Sequence, residues 1–165
     1  MKSIPKIFLI VAFCFLLTGC ASEIDDTPLL PNLGIQDSLL NKDLRVTAPA
    51  VWNNFNKKED WITLEITLVT NKQIITNPDF NAEIYLYDDT KKEWKKIKNL
   101  GNYETPPDKI ILHQGDIEDL SVLPELSNTP ASQSKVLIFV SGNVVEKGHT
   151  TNKVIGTHII LHLKP

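Results

Sequence analysis

The sequence predicts an all-β fold, a single antiparallel β-sandwich of about seven strands. Three features predict it. Residues 61–70 alternate, with Ile62, Leu64, Ile66 and Leu68 separated by Thr63, Glu65 and Thr67, so that one face of a strand is buried and the other wet. Apolar runs are short and fall between turn-forming pairs: Asn53-Asn54, Asn77-Pro78, Asp88-Asp89, Gly101-Asn102, Pro106-Pro107, Gly142-Asn143 and Lys147-Gly148. No long stretch of the domain sustains a helical period. Many short strands without helices bury their apolar faces by packing sheet on sheet.

In chain order, the first strand is expected over 44–51 and the clearest over 61–70. Residues 80–87 place Ile84 and Leu86 on one side and Tyr85 and Tyr87 on the other, which reads as a wet face. Residues 94–100 carry Lys95, Lys96 and Lys98, as edge strands often do. Residues 109–113 form a short apolar run, and 135–145 contain Val136 to Val140, suited to the centre of the core. Residues 154–163 close the domain with Ile155, Ile159, Leu161 and Leu163 on one face. Residues 115–126 are the one stretch with helical character, at most a turn capped by Asp116 and ended by Pro124.

Ahead of this domain the chain is organised differently. Lys2 and Lys6 precede an uninterrupted apolar run over residues 7–17, the pattern of a secretory signal. That run falls short of the roughly 20 residues a spanning helix needs. Leu17-Thr18-Gly19-Cys20 follows and resembles the lipobox of bacterial lipoproteins at all four positions. The resemblance implies cleavage between Gly19 and Cys20, a diacylglycerol on the Cys20 sulfur, and often a further acyl chain such as palmitate on the new amino terminus. Two or three chains anchor stably where one binds only marginally. Residues 1–19 are therefore expected to be a signal peptide and 20–43 the lipidated cysteine and a flexible tether, rich in Pro, Asp and Asn. Residues 44–165 are the sandwich. Leu29, Leu30, Leu33, Leu39 and Leu40 give the tether some means of docking on the domain. Ala21, where inner-membrane retention would favour Asp, implies the outer membrane in a Gram-negative cell, facing the periplasm or the surface.

Strand spacing over 44–165 is similar to that of immunoglobulin-like or fibronectin type III-like domains, without the Cys–Trp–Cys signature. A transthyretin-like sandwich fits the spacing too. The plan of lipid, tether and sandwich resembles some secretion-system lipoproteins that dock a larger machine.

Charge and composition narrow the function. Removing residues 1–19 deletes Lys2 and Lys6 and leaves 15 basic and 20 acidic residues, a net of −5. Such a surface does not suit nucleic acid. With Cys14 in the leader and Cys20 carrying lipid, no thiol remains for a disulfide, a metal or a nucleophile. His158 and His162 on a strand stand about 13 Å apart, too far to share one metal ion. Asp116, Glu118, Asp119 and Glu125 lack calcium-loop spacing and read as a solvated loop. There is no Gly-x-Ser-x-Gly elbow, and Ser141-Gly142 reads as a strand end. No cofactor and no metal site is expected.

The aromatics are the best binding lead. Trp52 and Phe55 flank an Asn-rich turn, Tyr85 and Tyr87 share a strand face, and Trp94 lies near them in sequence. Flat aromatic faces with a polar edge recognise sugars and proteins. Trp61 is expected in the core or at its edge. Lys91, Lys92, Lys95, Lys96 and Lys98 form a basic stretch, read first as a solvated edge and more sharply as a contact for anionic headgroups or an acidic partner. The expectation is a non-enzymatic module, anchored to a membrane through Cys20, that binds another envelope protein. A carbohydrate-binding module is the alternative, and a hydrolase with an unrecognised site the third reading.

Overall fold

A computed structural model describes residues 28–36, 39–48, 61–101, 108–126 and 133–163. Among these residues are nine strands: β1 (Leu44–Thr47), β2 (Ile62–Leu68), β3 (Gln73–Thr76), β4 (Glu83–Asp88), β5 (Glu93–Ile97), β6 (Ile110–Leu112), β7 (Ile117–Val122), β8 (Gln133–Glu146) and β9 (His149–His162). They form two antiparallel sheets, one of three strands ordered β1-β2-β7 and one of six, ordered β5-β4-β8-β3-β6 with β9 also paired to β8. This is the all-β sandwich, with two strands more than the seven expected.

The alternation in β2 works as read: Ile62, Leu64, Ile66 and Leu68 are fully buried. They meet Ile84, Leu86, Val136, Ile138, Val140 and Ile155 from the larger sheet in one core between the layers. Ile159 and Leu161 pack against the same core. Aligned faces of this kind fill the space between two sheets with interdigitated aliphatic side chains.

Two strands differ from the sequence reading. Residues 73–76 form β3, whose four residues include only two apolar ones. Residues 117–122 form β7, where a helical turn was expected. Its Leu120 and Val122 face the core while Asp119 pairs with Glu65 of β2, and Glu118 and Asp119 are both exposed at the start of this strand. Likewise Ser141 and Gly142 lie inside β8, which runs unbroken to Glu146.

Strand β8 organises the larger sheet. Its first half pairs with β4 and its second with β3, while β9 runs along its whole length. Lys147 and Gly148 close the β8–β9 hairpin with φ of 52° and 78°. Two central residues at positive φ match the right-handed twist of the strands they join. Between β3 and β4 the chain leaves the line of β8 in a short excursion, and Phe80 and Asn81 adopt φ of 53° and 48°. Phe80 is nevertheless fully buried, and its carbonyl accepts from the Ser141 amide.

The outer face of the six-stranded sheet is not bare. Residues 31–36 run over it and bend at Gly34 and Ile35, where Gly34 takes φ of 69°; Pro31, Leu33 and Ile35 are half-buried and Asn32, Gly34 and Gln36 exposed. Leu33, Ile35 and Leu40 pack against a second apolar cluster of Tyr85, Leu137 and Phe139, with Trp94 and Ile160 at its margin. Leu40 bridges Gly156 of β9 in parallel, and the Asn41 amide donates to the Gly156 carbonyl at 3.0 Å. Part of the segment expected to be a tether is thus a third layer.

Candidate functional site

The aromatic lead resolves into the margin of that third layer. Trp94 pairs with Tyr87 across the β4–β5 ladder, and their rings meet at 4.9 Å with planes tilted by 55°. The Trp94 indole donates to the Leu29 carbonyl at 2.9 Å, which fixes where the N-terminal segment reaches the sheet. Tyr85 and Tyr87 are only 8% and 6% exposed, so the wet face expected for them is not there. The docked segment packs on the cluster that holds Tyr85, while Trp94 and Lys135 lie on Tyr87; period-2 alternation shows that two faces differ, not what covers each. Trp94 is half-buried. The three rings therefore form no flat exposed platform for a sugar. Trp52, Phe55, Gly19 and Cys20 lie outside the described residues.

A polar rim surrounds these rings. The Tyr85 hydroxyl donates to Glu83 Oε2 at 2.5 Å, and Lys96 Nζ donates to Glu83 Oε1 at 2.6 Å. Burial pushes the Glu83 carboxyl up, but these two donors and the Lys96 charge outweigh it and hold it below its ordinary 4.5. Burial, with the Glu83 carboxylate as acceptor, pushes the Tyr85 phenol up to about 12. Lys135 lies over the Tyr87 ring at 5.4 Å and Lys96 near Tyr85 at 6.0 Å, within the reach of cation–π attraction. β5 is an edge of its sheet, and Lys91, Lys92, Lys95, Lys96 and Lys98 are all exposed along or beside it. The sequence revealed these lysines but not that Leu29 lies beside them.

A second feature escaped the sequence reading. Between β1 and β9 lies a cleft of about 260 Å³, lined by Asn41, Lys42, Arg45, Thr157 and His158 over an apolar floor that includes Leu44. Asn41 Oδ1 accepts from Thr157 Oγ1 at 2.8 Å and from the His158 amide at 3.0 Å. Burial lowers the His158 pKa, and its Nδ1 is buried without a hydrogen-bond partner among the described residues. His162 is exposed at the far end of the same strand. Among the described residues no group of three His, Cys, Asp or Glu is placed to hold a metal ion.

Among the described residues, large apolar side chains stand out of the surface at Leu29, Leu30, Trp61, Leu100, Ile111 and Ile117. Leu29 is 94% exposed beside β5. Ile111 and Ile117 are 51% and 63% exposed, on either side of the turn joining β6 to β7. Trp61 is 44% exposed, outside the core where it was expected or at its rim. Its ring lies against Gly101, where a Cβ would stand 2.9 Å from it. No helix among the described residues is long and apolar enough to cross a membrane. Comparison with protein-family models, with curated proteins and with solved structures finds no match for this chain.

Proposed function

We propose that the chain is an exported lipoprotein, held at the cell envelope by lipid on Cys20, whose sandwich serves as a non-enzymatic docking module for another envelope protein. The observation that carries the anchor is the run of Lys2, Lys6, the apolar stretch 7–17 and Leu17-Thr18-Gly19-Cys20, in the order and spacing a lipidated leader requires. The docking role is supported by Ile111 and Ile117. Both are largely exposed on strand residues, and β6 is an edge of the six-stranded sheet whose backbone is paired on one side by β3. An edge strand with an outward apolar side chain is where a partner adds a strand or seats a pocket.

Two measurements test this. Mass spectrometry of the mature protein is expected to show an N-terminal peptide that starts at Cys20 and carries fatty acid, and Cys20→Ser is expected to leave the membrane fraction. Unchanged partition of that variant would refute the anchor. A photoreactive residue at Ile111 is expected to crosslink an envelope protein, and one at Thr90, in the β4–β5 turn at the opposite edge of the sheet, is not. Equal crosslinking from both positions would remove the docking role.

A further inference from the structure

We propose that the β5 edge, with Leu29 and Leu30 beside it, is the face of the domain that rests on anionic lipid headgroups. The inference deepens the reading above and rests on the anchor at Cys20. Three observations meet at this place. The first is where the N-terminal segment reaches the sheet. The hydrogen bond from Trp94 Nε1 to the Leu29 carbonyl fixes the chain at β5, and Cys20 is eight residues before Pro28. At 3.3–3.6 Å per residue those links span at most about 28 Å, so the lipid cannot lie far from this edge.

The second is charge. Together with Lys135 over the Tyr87 ring, the five lysines of residues 88–98 face Asp88, Asp89, Glu93, Glu83 and Glu125, a net of +1, while the rest of the chain from Cys20 onward sums to −6. Lys96 is engaged by Glu83, and Lys91 lies 3.9 Å from Glu93. Lys92, Lys95 and Lys98 are exposed and have no ion pair among the described residues. An acidic domain close to an acidic bilayer is repelled unless it turns its basic edge inward, and this is the edge the tether brings there. The third is apolar surface. Leu29 is almost wholly exposed, Leu30 partly so, and the half-buried indole of Trp94 lies next to them. Leucine and tryptophan flanked by lysine form the side-chain set that settles at the boundary between headgroups and acyl chains.

The test is a lysine footprint on the mature protein reconstituted into vesicles of phosphatidylcholine alone or of about three parts phosphatidylcholine to one of phosphatidylglycerol. Acetylation of Lys92, Lys95 and Lys98 is expected to slow about fivefold on the anionic vesicles, with Lys109, Lys147 and Lys153 unchanged. Salt near 1 M, where screening acts within about 3 Å, is expected to erase the difference. The triple variant Lys92→Glu, Lys95→Glu, Lys98→Glu, all on exposed positions, is expected to stay membrane-bound through its lipid while Leu29 and Trp94 lose contact with brominated lipid. Equal labelling on both vesicles overturns the proposal. So does protection seen in native membranes but not in protein-free vesicles, which would assign the lysines to an acidic protein partner. An N-terminal peptide without fatty acid sinks the anchor alone. The same footprint, with the protein mixed with vesicles at low salt, then decides the face by itself.

Discussion

Gly156 on β9 lies against the ring of Phe139 on β8, so closely that a Cβ there would stand 2.6 Å from Phe139 Cε2 and 2.9 Å from Ile35 Cδ1. Only glycine lets the sheet, the Phe139 ring and the docked N-terminal segment meet at one point. Gly156→Ala is expected to cost about 1–3 kcal/mol by overpacking. Because Ile35 is the more movable neighbour, the loss should concentrate in the segment. Amide exchange over residues 33–41 is expected to accelerate far more than over β2. Uniform acceleration would mean that the segment and sandwich unfold together.

The carboxylate of Asp43 is 2% exposed and is paired with Lys72 at 2.5 Å, whose own side chain is 28% exposed. The pair joins the entry to β1 to the turn before β3. Lys72→Met would strand a buried charge and is expected to destabilise the fold by about 3 kcal/mol in urea unfolding. Replacing both partners with apolar residues should recover most of that. Failure to recover would show that Lys72 acts by packing rather than by charge.

Tyr85 couples the second cluster to alkaline pH. Its phenol titrates near 12 in the folded chain against about 10 when unfolded, so folding favours the protonated form. The stability it contributes is present below pH 10 and is lost as pH rises from 10 to 12. Ultraviolet titration is expected to show a tyrosine ionising near pH 12. Tyr85→Phe should remove that late step and lower stability at neutral pH by about 1 kcal/mol, the net worth of its hydrogen bond to Glu83.

His158 works in the opposite range. Burial holds its folded pKa below the ordinary 6.5, so the neutral ring is the one that folds. Its contribution is full above pH 6.5 and declines as pH falls below that value toward the folded pKa. Thermal unfolding between pH 7 and 5 is expected to show this decline, and His158→Gln to flatten it. A slope unchanged in the variant would show that His158 is not the group responsible for it.

Much of the architecture could be read from the chain because β2, β8 and β9 carry unmistakable patterns: strict alternation in Ile62–Leu68, five consecutive apolar residues at 136–140, and a one-sided row in β9. β3 escaped because Gln73–Thr76 is too short for a period to show. β7 escaped because Asp116, Glu118 and Asp119 before Leu120 look like the acidic first turn of a helix. The site was less legible. The alternation puts Tyr85 and Tyr87 in water because Ile84 and Leu86 face inward, and a pattern of two faces holds no information about a third layer. The leucines that form this layer were visible, but their docking depends on contacts more than a hundred residues apart, such as Asn41 with Thr157. The cleft beside them was invisible for the same reason.

The clip of Asn41, Leu40 and Leu29 onto the large sheet also sets a concentration. A leash running loose from Cys20 to Asp43 would let the domain wander through a dome about 80 Å in radius, whereas one fastened at Pro28 allows about 28 Å. Volume falls as the cube of that ratio, so with the lipid proposed on Cys20 the fastened domain would meet its own patch of bilayer at roughly twentyfold higher effective molarity. Under that proposal, a surface attraction of given strength would hold the domain to the bilayer about twentyfold more often on the short leash than on the long one.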